Sequence, residues 1–384
     1  MKVGLVSTVW LSVPPNGYGG IESVIYNLIL GAKDLNVNFK LFSVGETATH
    51  PDIKKLGTEV GYFSEKGLYE EIADPDKNTW NEAVHAMFAW QWLEKEGVDI
   101  IHNHTNVLFP TIVWAKEKRP PVLITLHGPL DIPIVQSFYR LISKQKGIYF
   151  NSISEAQRKS FPDLEYIGTV YNGIRVENFQ FLSKKKDYLL IIGRITPVKG
   201  QLEAIEVAKR LKKDLVIAGF PEQTPEGEKY WQEKIYPQID VFLNQIRKDR
   251  LETLWKLKKN GEEPKIIYFG EANFREKVML FGNALCTLMP ISWEEPFGMV
   301  MIESLACGTP VIGFNKGSVP EIVENGKTGF VVNNLKEMIE AINTLDKISP
   351  WACRHRVEKY FSHQVMAKNY YNLYQEILRR ERRE

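Results

Sequence analysis

The sequence has few cysteines and no long hydrophobic run. Cys286, Cys307 and Cys353 are widely spaced among 384 residues and form no Cys-x-x-Cys pair. This usage argues against a disulfide framework or a structural zinc site and suits a reducing compartment. No apolar stretch of roughly 18 residues occurs, so no transmembrane helix is expected. The opening residues MKVGLVSTVW lack a signal-peptide cleavage region, and we therefore expect a cytoplasmic protein.

The sequence also lacks a large excess of charge of either sign. Lys and Arg number 49 and Asp and Glu 47, for a formal net charge of +2. The basic residues form no long stripe, so a nucleic-acid partner is not predicted. The first 180 residues carry slightly more acidic than basic side chains, which weighs against docking on an anionic membrane. A local basic patch would still permit peripheral membrane contact.

Short apolar runs alternate with helical periodicity, which favours parallel sheets with helices on both faces, in two domains. The predicted strands are 3–9, 37–44, 98–102, 121–126, 148–152, 165–171, one beginning at residue 188, 215–218, 266–269, 284–289, 311–314 and 330–332. The predicted helices are one beginning near residue 21 and those at 82–96, 201–212, 299–306 and 363–380. Residues 45–80 are expected to be irregular, 183–187 to be a polar linker, and 222–263 to add one or two surface helices.

The segment 291–310, ISWEEPFGMVMIESLACGTP, follows a predicted buried strand. Parallel α/β sheets bind ligands at the carboxyl ends of their strands. The backbone N–H groups that open the helix near Met299 have no helical partners and can face an anionic or hydroxyl-rich ligand. Glu295 could contact a sugar hydroxyl, and Glu303 a ribose diol. Alternatively these glutamates are solvated charges, since acidic residues favour helix N-termini; the spacing alone leaves both interpretations open.

Two further loops follow predicted strands. Residues 17–20, Gly-Tyr-Gly-Gly, lie before a helix and could approach a phosphate through their amides, or form only a flexible turn. Their spacing does not match the G-x-G-x-x-G fingerprint, so a dehydrogenase is not expected. Arg194 and Lys199 follow the strand that begins at residue 188 and could clamp two phosphates. At this spacing alone, two surface cations are the alternative.

Three histidines lie at the ends of neighbouring predicted strands. His127 ends the strand at 121–126, and His102 and His104 end the strand at 98–102. A histidine in such a position is more often structural than catalytic. No further histidine or carboxylate completes a recognisable metal-ligand set, so we predict no metal site.

These motifs together resemble those of retaining glycosyltransferases of family 4, the glycogen-synthase-like branch. The family pattern is a Glu, seven residues and a second Glu, with Pro-Phe-Gly after the first. The matching positions here are Glu295, Pro296, Phe297, Gly298, Glu303, Ala306, Gly308, Thr309, Pro310 and Val311. The resemblance runs from Tyr18 to Ser362. Its one clear departure is a charged insertion at 240–263, which could carry contacts between copies of the chain or form a lid.

The resemblance implies a GT-B fold of α/β class, with two doubly wound Rossmann-like domains facing a cleft. It predicts an acceptor domain at 1–182, a nucleotide-sugar donor domain at 183–355, and a C-terminal helix at 356–384 that packs back on the first domain. The implied reaction moves a hexose from a UDP-glucose-type or GDP-mannose-type donor to a hydroxyl of a small molecule or glycan, with retention and without a metal or other cofactor.

The resemblance also assigns site residues. The predicted catalytic residues are Glu295, Arg194, Lys199 and His127. The predicted donor-binding residues are Gly19, Gly20, Phe297, Gly298, Met299, Val300 and Glu303. Tyr18, His102 and His104 are expected on the acceptor side. Two alternatives remain: a nucleotide-sugar-binding protein without transfer activity, and a hydrolysing epimerase, which shares the GT-B fold but not the string from Glu295 to Glu303.

Overall fold

The chain folds into two compact units. A computed structural model describes residues 1–17, 19–71, 75–105, 120–246, 249–257 and 263–382. The N-terminal unit comprises Met1–Ile174 and Tyr360–Glu384, and the C-terminal unit comprises Arg175–Lys359. None of the helices in these described ranges is long and apolar enough to span a membrane.

The N-terminal unit is built on a parallel sheet in the order β3-β2-β1-β4-β5-β6-β7. The strands are β1 (Lys2–Val6), β2 (Asn38–Ser43), β3 (Glu59–Tyr62), β4 (Ile100–Asn103), β5 (Val122–Thr125), β6 (Ile148–Ser152) and β7 (Tyr166–Thr169). Strands β1, β4 and β5 are mostly or wholly buried, as expected for a sheet covered on both faces. The strand order reverses between β1 and β4, and ligands bind doubly wound sheets outside the carboxyl ends at this point.

The helices of this unit cover both faces of the sheet. They are Gly20–Gly31, Gly45–Thr49, Pro51–Leu56, Pro75–Lys95, Pro133–Ile142, Glu155–Lys159 and the C-terminal helix His363–Glu381. The C-terminal helix buries Tyr370 and Tyr374 in this unit. It also packs on Gly20–Gly31, where a Cβ atom on Gly31 would lie 2.1 Å from the carbonyl oxygen of His363. Glycine therefore permits the close approach of the two helices.

The C-terminal unit repeats this architecture with the order β10-β11-β9-β8-β12-β13-β14, again parallel throughout. Its strands are β8 (Tyr188–Ile192), β9 (Asp214–Ala218), β10 (Val241–Phe242), β11 (Ile266–Gly270), β12 (Cys286–Met289), β13 (Val311–Phe314) and β14 (Gly329–Val332). Its α-helices are Gln201–Leu211, Pro225–Tyr230, Arg250–Lys256, Phe274–Asn283, Met299–Ala306, Val319–Ile322, Leu335–Ile342 and Pro350–Tyr360. The strand order reverses between β8 and β12.

The predicted fold class is confirmed: both units are doubly wound, and the last helix returns to the first unit. The units divide after Ile174 and after Lys359, whereas the sequence placed the domain limits at 182 and 355. Residues 175–182 belong to the C-terminal unit because they are bonded there. The Arg354 guanidinium, for example, donates to the carbonyl oxygen of Phe179 at 2.6 Å.

The lysine-rich segment 183–187, expected as the linker, lies inside the C-terminal unit. Lys185 Nζ donates to the hydroxyl of Thr309 at 2.7 Å and to the carbonyl oxygen of Gly282 at 3.0 Å. Burial lowers the pKa of Lys185 to about 8. The composition of segment 183–187 is typical of a solvated linker, but the ammonium group of Lys185 connects the ends of two helices.

The prediction of an irregular segment at 45–80 was wrong. Two short helices, Gly45–Thr49 and Pro51–Leu56, lead into the edge strand β3, which pairs with β2. The edge position explains the missed strand, because within the described residues β3 has a neighbouring strand on one side only, and its sequence EVGY carries little apolar character.

The charged segment at 222–263 holds more than the expected surface helices. It contains the helix Pro225–Tyr230, continued by a π-helical turn at Trp231–Ile235, and the helix Arg250–Lys256. Between them β10 extends the sheet by pairing with β11. A side-chain bond supports this pairing, since the backbone N–H of Ile266 donates to Asp240 Oδ2 at 2.7 Å.

Candidate active site

Two loops of the C-terminal unit meet where its strand order reverses. One follows β8 and ends in a short 3₁₀ turn, Pro197–Lys199; the other follows β12. The backbone N–H of Ser292 in the second loop donates to the carbonyl oxygen of Val198 in the first at 3.0 Å. Gly200 has φ +79°, and a Cβ atom there would lie 2.1 Å from the carbonyl oxygen of Pro290. Glycine is required for this contact between the loops.

The two loops bring Lys199 and Glu295 together. Lys199 Nζ donates to Glu295 Oε2 at 2.5 Å, and the same nitrogen lies 4.7 Å from the centre of the Trp293 ring. Both charged side chains are mostly buried, with exposed fractions of 21% and 11%. An ion pair of this kind is partly shielded from water, which strengthens it relative to a surface pair. The structure therefore unites two of the predicted catalytic residues.

Arg194 lies on the same loop as Lys199 but bonds to a different carboxylate. Its Nη1 donates to Glu222 Oε1 at 2.9 Å, and 43% of its side chain is exposed. The loop backbone is held in place because Gln201 Nε2 donates to the carbonyl oxygen of Arg194 at 2.9 Å. Arg194 is thus accessible at the ligand-binding edge of the sheet.

The helix Met299–Ala306 begins at the predicted residue. Gly298 is its N-cap, with φ +75° and no side chain that could cap the first backbone N–H groups. Ser318 holds the residues that precede this helix. Its backbone N–H donates to the carbonyl oxygen of Glu295, and its hydroxyl donates to the carbonyl oxygen of Phe297. Phe297 is buried, while Met299 and Val300 are partly exposed. The uncapped N–H groups at this end suit an anion.

Glu303 lies one turn into this helix and is bonded to a lysine that the sequence did not single out. Lys277 Nζ, from the helix Phe274–Asn283, donates to Glu303 Oε1 at 2.6 Å. Glu303 is 8% exposed. No local pattern connects positions 277 and 303, because their proximity depends on how the two helices pack.

In the N-terminal unit, the loop after β1 leads to Gly19 and Gly20 at the start of a helix. Glu22 in its first turn is buried and accepts a hydrogen bond from the Thr8 hydroxyl. Burial raises the pKa of Glu22, against the lowering effect of the Thr8 bond. The sequence-based site prediction did not include Glu22. Tyr18, expected on the acceptor side, lies outside the described residues.

His102 is a core residue rather than an exposed one. It is 0% exposed, its Nδ1 lies 2.7 Å from the Tyr374 hydroxyl, and its Nε2 lies 2.6 Å from the Thr125 hydroxyl. Thr125 donates its own proton to Asn151 Oδ1, so it accepts from His102 Nε2–H. Both ring nitrogens are therefore used within the unit. His102 was expected on the acceptor side, but its side chain is fully buried and offers no surface to a ligand.

His104 and His127 form a hydrogen-bonded pair beside His102. His104 Nδ1 lies 2.9 Å from His127 Nε2, and the His104 ring centre lies 4.0 Å from that of His102. His104 is 0% exposed, whereas His127 is partly exposed. Burial lowers the pKa of His127 to about 4 and that of the other two rings well below the ordinary value. All three imidazoles are thus neutral at pH 7.

Comparison with known proteins identifies the class to which this arrangement belongs. Residues 175–360 match the family described as Glycosyl transferases group 1, and residues 18–176 match Glycosyltransferase Family 4. The limit between the two matches coincides with the limit between the structural units. The chain belongs to the family 4, group 1 glycosyltransferases, and is a sugar-transferring enzyme.

Relatives and solved structures agree with this membership. Spore coat protein SA of Bacillus subtilis is 35% identical over 98% of this chain and 99% of its own length. The glycogen synthase of Mycobacterium tuberculosis is 27% identical over 86% and 81% of the two chains. The crystal structure of Anabaena HepE in complex with UDP-glucose superposes with a TM-score of 0.66 at 17% identity, covering 98% of this chain and 100% of the other. The last similarity concerns the fold alone.

Proposed function

We propose that this enzyme transfers a hexose, with retention and without a metal ion, from a nucleoside diphosphate sugar to an acceptor hydroxyl. The observation that carries the proposal is the mostly buried Lys199–Glu295 pair, formed by two loops where the strand order reverses. The Lys199 ammonium, which can bind the diphosphate, and the Glu295 carboxylate, which can accept hydrogen bonds from sugar hydroxyls, lie 2.5 Å apart there. A helix N-terminus without a side-chain cap follows directly.

Donor binding exchanges this ion pair for two ligand contacts. The Lys199 ammonium turns to the diphosphate, and the Glu295 carboxylate accepts hydrogen bonds from sugar hydroxyls, so neither charge is left unpaired. Glu303 offers its second carboxylate oxygen to the ribose diol, because Lys277 occupies the first. The first N–H groups of the helix Met299–Ala306 add partial positive charge.

In the chemical step, the bond between the anomeric carbon and the diphosphate oxygen breaks, and a bond to the acceptor oxygen forms on the same face. The acceptor proton passes to the departing phosphate oxygen, so no dedicated enzyme base is needed. Lys199 and Arg194 stabilise the negative charge that develops on the leaving group. His127 contacts the transferred sugar. These cations supply what a metal ion would otherwise supply.

The nucleotide-sugar donor is supported by the Anabaena structure with UDP-glucose and by the similarity to a glycogen synthase. Both UDP- and GDP-sugars fit the proposal, and the acceptor is a small molecule or a glycan. The proposal is tested by measuring the rate at which free nucleotide is released from UDP-, GDP- and ADP-sugars, with and without candidate acceptors. We expect slow release from one donor class and faster release with an acceptor.

The same assay separates the two alternatives. A protein that only binds nucleotide sugars would be stabilised by a donor, by about 2.7 kcal/mol at 100 times its dissociation constant, yet would release no nucleotide. A hydrolysing epimerase would release nucleotide and the epimeric free sugar at a rate that does not depend on any acceptor. Either result would contradict the proposed transfer.

A further inference from the structure

A chain of side chains in the N-terminal unit connects the C-terminal helix to His127. Tyr374 of that helix bonds to His102, the His102 ring contacts the His104 ring, and His104 bonds to His127. Of these four side chains, only that of His127, the last in the series, is partly exposed. The proposed transfer reaction assigns a role to His127 but none to the two buried rings.

The first ring of this chain is fixed by its own hydrogen bonds. Thr125 donates to Asn151 and therefore accepts from His102 Nε2–H, which leaves His102 Nδ1 to accept from the Tyr374 hydroxyl. A ring held at both nitrogens and packed against Tyr370 cannot turn freely. It provides a rigid surface for the His104 ring at 4.0 Å.

His104 has one bonded and one unbonded nitrogen. Its Nδ1 lies 2.9 Å from His127 Nε2, while its buried Nε2 has no hydrogen-bond partner among the described residues. One of the two nitrogens in the bond must carry the proton. If His127 donated, His104 would keep a buried N–H without an acceptor; buried donors without partners are rarer than buried acceptors without partners. His104 Nδ1–H is therefore the donor.

We propose that His104 is a positioning residue for the reaction: by donating to His127 Nε2 it holds His127 in the Nδ1–H tautomer and turns that N–H toward the ligand. This inference rests on the proposed function for the role of His127. A neutral ring with a fixed N–H can donate to a sugar hydroxyl or ring oxygen but cannot be a cationic group. The C-terminal helix supports this arrangement, because its Tyr374 hydroxyl is hydrogen-bonded to His102.

The test compares three substitutions of His104 with a matched control. His104→Leu removes the bond, His104→Asn places an amide near the position of Nδ1, and His104→Gln fills the volume but directs its amide toward Nε2. His85 is the control, because it too is buried, makes one hydrogen bond (to the Ser7 carbonyl oxygen at 3.0 Å) and has one unpartnered nitrogen within the described residues. His85→Leu should lower stability without a specific effect on kcat.

We expect His104→Leu to lower kcat by about 10- to 100-fold with little change in KM for the donor, a size typical of a misplaced contact group. His104→Asn should restore most of the loss and His104→Gln should not. Equal kcat in His104→Leu and His85→Leu, or rescue by Gln as good as by Asn, would overturn the proposal. If His104→Leu does not melt cooperatively, the Gln and Asn variants make the same comparison.

A readout independent of turnover is the ring ¹⁵N spectrum of His127. The proposal predicts a single Nδ1–H tautomer in the wild-type protein and in His104→Asn, and a mixture in His104→Leu and His104→Gln. A wild-type protein with this pattern but no sugar transfer would refute the proposed function while leaving the positioning intact. A tautomer mixture that is the same in all variants would refute the positioning role itself.

Discussion

Lys199 and Glu295 are the residues on which the proposed chemistry chiefly depends, and the ion pair between them defines the resting state. A lysine that already has a carboxylate partner gains less from binding the intact donor than from meeting the charge that develops as the glycosidic bond breaks. The interaction is therefore stronger in the transition state than in the ground state, which is the condition for raising kcat.

Lys199→Ala should lower kcat on the order of 10²- to 10³-fold, with a smaller effect on the dissociation constant of the donor. Lys213→Ala is the control. Lys213 is also a half-buried lysine paired with a carboxylate, that of Asp187, but it lies at the amino ends of β8 and β9, away from the ligand-binding edge. Steady-state rates with thermal melts check both variants. Similar rates for the two variants would remove Lys199 from the mechanism.

Arg194 is tested separately, because its side chain is more exposed than that of Lys199 and bonds to Glu222. Arg194→Ala should also reduce kcat strongly if the guanidinium turns to the diphosphate. Arg194→Lys should remain impaired, since a single ammonium cannot make two parallel hydrogen bonds to phosphate oxygens. The measurement is kcat for both variants. A fully active Lys variant would show that charge alone is needed, and a fully active Ala variant that Arg194 has no part.

At the scale of the elements, the loops after β8 and β12 must touch for Lys199 to reach Glu295. Gly200 allows this contact, because any side chain there would collide with the carbonyl oxygen of Pro290. Gly326 has a similar φ of +75°, but among the described residues no nearby atom would lie within 4 Å of a Cβ atom there. Substituting each glycine by alanine therefore separates two losses of stability: that from the left-handed backbone, common to both, and that from the collision, which only Gly200 suffers.

Gly326→Ala should cost only the left-handed backbone term, about 1–2 kcal/mol. Gly200→Ala should cost clearly more and should also lower kcat, because the backbone that carries Lys199 has to move. Thermal or urea unfolding gives the two stabilities, and the transfer assay gives the rates. Equal destabilisation, with full activity in Gly200→Ala, would contradict the account of the loop contact.

The elements that could be predicted from the sequence are those with local signals. The strands at 148–152 and 311–314 and the helix at 299–306 were predicted with the observed limits, because continuous apolar runs and a Pro-Phe-Gly entry mark them. Strand β3 was missed because an edge strand needs little apolar character, and β10 because two residues carry no periodicity.

The candidate site was predictable only in part for a similar reason. Residue types and their positions at strand ends indicated Arg194, Lys199 and Glu295. The bond between Lys277 and Glu303, and that between His104 and His127, join residues on different elements. Such pairings depend on the packing of helices and strands, which no local spacing reports.

For the whole molecule, the buried His85 and the partly buried His127 of the N-terminal unit couple folding to pH. Burial lowers the pKa of His85 and of His127 to about 4, from an ordinary value near 6.5. A group with a lowered folded pKa binds fewer protons in the folded than in the unfolded protein. The stability that depends on the neutral ring is therefore fully present above pH 6.5 and is lost as the pH falls toward 4.

We expect the free energy of unfolding to fall between pH 6.5 and pH 4, with about 3 kcal/mol from His85 alone. His85→Leu should be less stable at pH 7 but should lose less stability on acidification. Urea unfolding at pH 7.5, 6 and 4.5 measures both profiles. Parallel pH profiles in the two proteins would show that His85 does not stay neutral in the folded state.

The complete reaction that we propose is sugar transfer with retention, driven by protein cations. The anomeric configuration of the product, formed from an α-linked nucleoside diphosphate sugar in excess chelator, can be measured by ¹H NMR. We predict an α-linked product formed at the same rate with and without chelator. A β-linked product, or activity that chelator abolishes and magnesium restores, would contradict it.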